Sequence, residues 1–268
     1  MSGGVRVGRG LRWLVVATVA WGMLLAGLTW WSVRHDPPTV KEQRTLSQAV
    51  PVVERAMGQL VAALDDDAWK LTESRVDRGC RLTPLSAGAV LTRGLEVPVA
   101  AGGERALLDR VAQRLPAGWR AGVATETGHP RLWADAGEFV VIDGRVVADG
   151  LVRFSAATGC RPADAEIAKL MPGYPVGPEL TAALRALGQA PPSDAAQVSA
   201  AVCPAGGLAR TVSVEAGRGP ASLAALRPLG TVVLDRPGLY AYRSGPVVVL
   251  ADTTGDRLGL TASTGCGD

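Results

Sequence analysis

From Trp13 to Val33 the chain reads WLVVATVAWGMLLAGLTWWSV, a run without a charged residue. Roughly 20 apolar residues, each rising 1.5 Å, cross a hydrocarbon layer about 30 Å thick, so the run is predicted to be a transmembrane helix. Trp13 at one end and Trp30–Trp31 at the other fall where membrane interfaces favour indole rings. A cleaved leader needs a shorter apolar region and a small-x-small site, and Trp30-Trp31-Ser32-Val33 does not supply one. A lipid-modified leader needs a cysteine after its small pair, but Ala26-Gly27 is followed by Leu28. The run therefore reads as an uncleaved signal anchor.

Orientation does not follow from charge counting. Arg6, Arg9 and Arg12 precede the run, and Arg34, Lys41 and Arg44 follow it closely. This tie leaves the positive-inside rule undecided. The short N-terminal tail and the cysteine arrangement favour a cytoplasmic N-terminus and a bulk outside the plasma membrane. Arg6, Arg9 and Arg12 also account for the whole net charge of +3, since Lys and Arg total 28 against 25 Asp and Glu. The remainder is balanced and has no basic stripe, which argues against nucleic acid as a partner.

The expected layout is a cytoplasmic tail (1–12), the anchor (13–33), a stalk (34–45) and a first α+β unit (46–162). A proline-rich linker (163–178) and a second α+β unit (179–268) follow. Leu46, Val50, Val53, Met57, Leu60, Leu64, Ala68 and Leu71 recur at helical steps, with Pro51 inside the pattern as a possible first helical residue. Residues 91–100 read as a strand and 103–115 as an amphipathic helix; strands are expected within 119–127, 138–143 and 150–158. The second half runs in the same order: a helix at 178–187, a strand at 209–216, a short helix at 220–229 and four more strands up to the end. Each unit is expected to be a mainly antiparallel sheet with helices on one face.

SAATGC (155–160) returns as TASTGC (261–266). With Cys160 set on Cys266, Val152 falls on Leu258, Phe154 on Leu260 and Ala156 on Ala262, so the apolar parity agrees. A slip of one residue would turn every side chain to the other face. Upstream, GEFVVI (137–142) is placed opposite GPVVVL (245–250). The repeat favours Cys80–Cys160 and Cys203–Cys266 among the three pairings that four cysteines allow. No Cys-x-x-Cys spacing and no neighbouring histidine suggests a metal, and disulfides belong to an oxidising exterior.

Chemistry is sparse. His35 stands beside the anchor, and His129 in ETGHPRLW has Glu126 and Asp135 nearby as possible orienting carboxylates for a general base. A turn histidine without a catalytic role is the simpler reading. Asp65-Asp66-Asp67 lacks the spacing and turn glycine of a calcium loop and reads as a solvated helix end. No nucleophile elbow, zinc-protease helix or phosphate loop is present, and Gly4, Gly8 and Gly10 precede the apolar run rather than following a strand. No catalytic, cofactor or metal residues are assigned, and no cofactor is expected. The function expected is that of a single-pass, non-enzymatic binding or accessory protein of the bacterial cell envelope, with another envelope protein as one kind of partner. The alternative is a hydrolase of envelope polymers working through unidentified acids.

Overall fold

The computed structural model describes residues 9–35, 45–64, 67–84, 86–163, 176–190 and 196–267. Most of the expected tail, most of the stalk, most of the proline-rich linker and Asp65–Asp66 lie outside them. Helix α1 (Arg9–His35) is continuous, and its Trp13–Ser32 stretch has a mean hydropathy of 1.7, long and apolar enough to cross a membrane. Residues 44–268 form a separate compact unit that holds everything else.

The fold of that unit is α+β, with two antiparallel sheets of seven and six strands. In the first half, α2 (Leu46–Leu64) starts at Leu46 rather than at Pro51. The Thr45 N–H donates to Gln48 Oε1 at 3.1 Å, half of a capping box that sets the helix start ahead of the proline. The helix stops at Leu64, so Ala68 and Leu71 are buried as extended chain rather than as further turns. After it come β1 (Lys70–Leu71), β2 (Arg75–Thr83), β3 (Ser86–Pro98), α3 (Glu104–Arg114), β4 (Gly122–Glu126), β5 (His129–Asp135), β6 (Val140–Ala148) and β7 (Leu151–Thr158). The sheet order is β1-β3-β7-β6-β5-β4, and β2 shares with β1 one edge of the long β3.

The second half holds α4 (Pro178–Ala186), β8 (Gln197–Val202), β9 (Leu208–Glu215), β10 (Thr231–Arg236), β11 (Leu239–Ser244), β12 (Val247–Asp252) and β13 (Gly259–Thr264). The segment expected as a helix at 220–229 is a 3-10 turn over Ala224–Leu229 with Pro228 inside it. Its sheet order is β8-β9-β13-β12-β11-β10. Replacing β2 by β8, β3 by β9 and β4–β7 by β10–β13 turns one sheet into the other. The two halves are similar sheet units with one connectivity.

Register refines the match. Gly144 pairs with Phe154, and Ala251 pairs with Leu260. With Phe154 on Leu260, Gly144 therefore corresponds to Ala251 and Ile142 to Val249. The hexapeptide alignment of Ile142 with Leu250 is off by one, and the burial pattern shows why. Ile142 and Val249 face their helix-covered cores, whereas Leu250 belongs to a different buried cluster on the opposite face.

The halves are stacked, not beaded. Helix α2 packs on β3 and β7 with one flank and on β8 and β9 with the other, and Ala201, Cys203 and Ala209 share its core. Helix α4 and the 3-10 turn cover the far side of the second sheet. Between the halves runs a buried polar seam. Leu71 N–H donates to Thr211 Oγ1 at 3.0 Å, Thr211 Oγ1 lies 2.9 Å from Ser263 Oγ, and Ser263 donates to the Trp69 carbonyl at 2.7 Å. Arg236 donates to the carbonyls of Val99 (2.9 Å), Gly150 (2.8 Å) and Asp149 (2.9 Å). Arg93 is only 6% exposed; it pairs with Glu54 of α2 and donates to the Ala200 carbonyl of β8 at 2.8 Å. One arginine thus joins both sheets and the helix between them. Burial raises the Glu54 carboxyl above its ordinary range, and Arg93 offsets only part of that.

Candidate binding face

The segment read as a loop around His129 is a strand. Its Leu132 and Ala134 are buried, so His129, Arg131, Trp133 and Asp135 take the opposite face. That outer face carries no helix among the described residues, and register assembles it. Across the sheet, Lys70 pairs with Glu96, Glu96 with Arg153, Arg153 with Arg145 and Arg145 with Arg131. In the next row Ser155 pairs with Asp143, Asp143 with Trp133 and Trp133 with Gly122. Three arginines therefore stand side by side on neighbouring strands, which lie about 4.8 Å apart. Trp133, 46% exposed, lies beside them with only a glycine on its far flank.

Like charges directly opposite each other repel, and acids hold this row together. Arg131 donates to Asp143 and Glu126, each at 2.5 Å. Hydrogen bonds to Asp143 and then Glu126 raise its pKa, so the guanidinium stays charged. Arg153 donates to Glu96 at 2.5 and 3.0 Å, and Lys70 meets the other Glu96 oxygen at 3.0 Å. Burial pushes the Glu96 carboxyl up, and Lys70 and Arg153 together more than reverse this, leaving it below its ordinary range. Arg145 is the loosest, 3.7 Å from Asp143 with its side chain 58% exposed. Within this row four cations stand against three acids, and Asp135 on the same face is met by Arg120 at 3.6 Å, so one positive charge is left over. Arg145 carries it outward.

His129 pairs with Glu126 at the tip of the β4–β5 hairpin, across the left-handed residues Thr127 and Gly128. Its ring has no hydrogen-bond or ion-pair partner among the described residues. Neither nearby carboxylate orients it: Glu126 accepts from Arg131, and Asp135 accepts from Gly137 N–H at 2.9 Å. Asp67 follows α2 and pairs with Arg110 at 2.5 Å. Among the described residues no group of three or more His, Cys, Asp or Glu is placed to hold a metal ion.

The cysteines form two bonds, away from this arginine row. Cys80 of β2 joins Cys160 beyond β7, and Cys203 beyond β8 joins Cys266 beyond β13. The second bond lies against α2, with Cys266 Sγ 3.9 Å from the Gly58 carbonyl. Sequence reasoning missed Arg131, Arg145, Arg153 and Trp133. Their period-two spacing within HPRLWAD, VVIDGRVVA and LVRFSAAT was the available signal.

No protein-family model and no curated protein matches the chain. Among solved structures, the chain is similar to the crystal structure of a DUF4853 family protein from Actinomyces odontolyticus. The TM-score is 0.37 at 10% identity, over 63% of this chain and 91% of that one.

Proposed function

We propose that α1 anchors the chain in the plasma membrane with its N-terminus inside. Units 46–162 and 179–268 then lie outside as one accessory body of the cell envelope. The apolar helix and the two disulfides fit an anchored protein whose bulk is in an oxidising compartment. Its role is binding, and the ligand is a linear polyanion of the envelope. The observation that carries this reading is the cross-strand row Arg131–Arg145–Arg153 beside the exposed Trp133. Arginine and tryptophan together mark recognition surfaces, and guanidinium is the donor suited to phosphate and carboxylate. A hydrolase would need two free carboxylates facing each other, whereas Glu96, Glu126 and Asp143 each serve an arginine.

The test titrates linear polyphosphate into the full chain in detergent micelles at two salt concentrations. Binding is expected to weaken with salt. Arg145→Ala should weaken it about tenfold, the size of one lost charge-assisted hydrogen bond. Equal binding by the parent and by the Arg145→Ala and Trp133→Ala variants would refute the assignment.

A further inference from the structure

A groove of about 370 Å³ opens where the Lys70–Glu73 segment crosses the second sheet. That volume is within the range of small-molecule sites, roughly 300–1,000 Å³. Its floor is a row of side chains on neighbouring strands: Gln197 of β8 pairs with Ser213 of β9, which pairs with Thr261 of β13. Ser199 flanks them on β8. These hydroxyls and the amide each donate and accept.

Thr261 distinguishes the groove from ordinary polar surface. It is 8% exposed, and its Oγ1 is buried without a hydrogen-bond partner among the described residues. One row away, Thr211 and Ser263 point from the same face, and both are satisfied by the first half. The hydroxyls that join the halves are matched, and the one facing the groove is not. Buried polar groups are rarely left so.

The charges indicate the ligand class. Lys70 and Arg257 line the groove against Glu73 and Glu215, and Arg257 already meets Glu215 at 3.4 Å. Lys70 is already held by Glu96 at 3.0 Å, so neither cation is left over to draw an anionic ligand. Strands β9 and β13 lie inside the sheet, where their backbone groups serve the ladder. Over these two strands a ligand meets only side-chain hydroxyls, and the open edge of the sheet beside them is β8, which carries Gln197 and Ser199. Sugar hydroxyls, which also donate and accept, match such a floor.

We propose that this groove is a binding site for a neutral saccharide of about two units, held through Thr261, Ser213 and Gln197. The site lies apart from the row Arg131–Arg145–Arg153, with Lys70 bordering both. The test uses the full chain in a detergent without a sugar headgroup, titrated calorimetrically with maltose, cellobiose, N,N′-diacetylchitobiose and, for comparison, tetra-alanine. At least one disaccharide should bind with one-to-one stoichiometry. Thr261→Val and Gln197→Ala should each weaken it about tenfold, as a lost buried hydrogen bond does. Thr261→Val should melt no lower than the parent, because its hydroxyl has no partner among the described residues. The proposal is overturned if no disaccharide binds at millimolar concentration, or if tetra-alanine binds instead. It is also overturned if Thr261→Val lowers the melting temperature while sugar binding is unchanged.

Discussion

Replacing Arg93 by methionine should reveal how tightly the two halves are joined. Arg93 is 6% exposed, pairs with Glu54, whose side chain is 15% exposed, and donates to the Ala200 carbonyl at 2.8 Å. The substitution keeps much of the volume but strands a carboxylate and a carbonyl. Removing one member of a buried pair costs ~3–5 kcal/mol, because the other charge is left uncompensated. Adding Glu54→Met removes that charge. The double variant should return to within about 1–1.5 kcal/mol of the parent, the remainder being the orphaned Ala200 carbonyl. Glu54 supplies a second signature. Its carboxyl is already raised by burial, and without Arg93 it rises further. A raised acid favours the folded state fully below its unfolded value and loses that advantage as pH climbs through the folded pKa. The deficit of Arg93→Met should therefore shrink on acidification. The assay is urea unfolding of the full chain in micelles, followed by the fluorescence of Trp69, which is 3% exposed. Additive single-variant effects, or a deficit indifferent to pH, would refute the reasoning.

Two further outcomes follow from the same geometry. At Gly58 an added Cβ would lie 1.7 Å from the Val202 carbonyl oxygen, so Gly58→Ala must push α2 off β8. It should cost ~1–3 kcal/mol despite alanine's better helix propensity, and a raised melting temperature would contradict the close approach. Glu96 is held below the ordinary carboxylate value of 4.5, so its contribution to stability is present above that value and lost as pH falls through the lower folded pKa. Glu96→Gln should flatten the stability profile below pH 4.5, and an unchanged slope there would show that Lys70 and Arg153 do not hold the carboxylate.

Much of this fold was legible because apolar parity is strong where a sheet is buried on a helix. Leu107, Leu108 and Val111 announce α3, and Val152, Phe154 and Ala156 announce β7. Strands β2, β5 and β8 were illegible for related reasons. β2 is bonded only to β3 and is mostly exposed, and its Arg75, Asp77, Arg78 and Arg81 suit an edge strand. β8 is an edge of small residues, and β5 opens on His129-Pro130 with charge on its outer side. The candidate face was hidden because its arginines come from three strands. Only pairing register brings them into one row.

The matched topology has a consequence for assembly. By the corrected register, Arg131, Trp133 and Asp143 of the first half correspond to Leu239, Ala241 and Leu250 of the second. The apolar set is buried in one cluster with Ala68, on the side of the second sheet that meets the first half. A head-to-tail stack of like units has no intrinsic end, and each new sheet could in principle cover the helices of the one before. Here the first sheet presents ion pairs where a third unit would need leucines. The charged row thus works as a terminal cap, as the polar outer repeats of solenoids do. The same side chains that close the series to another copy of itself leave the face open to a partner of opposite charge.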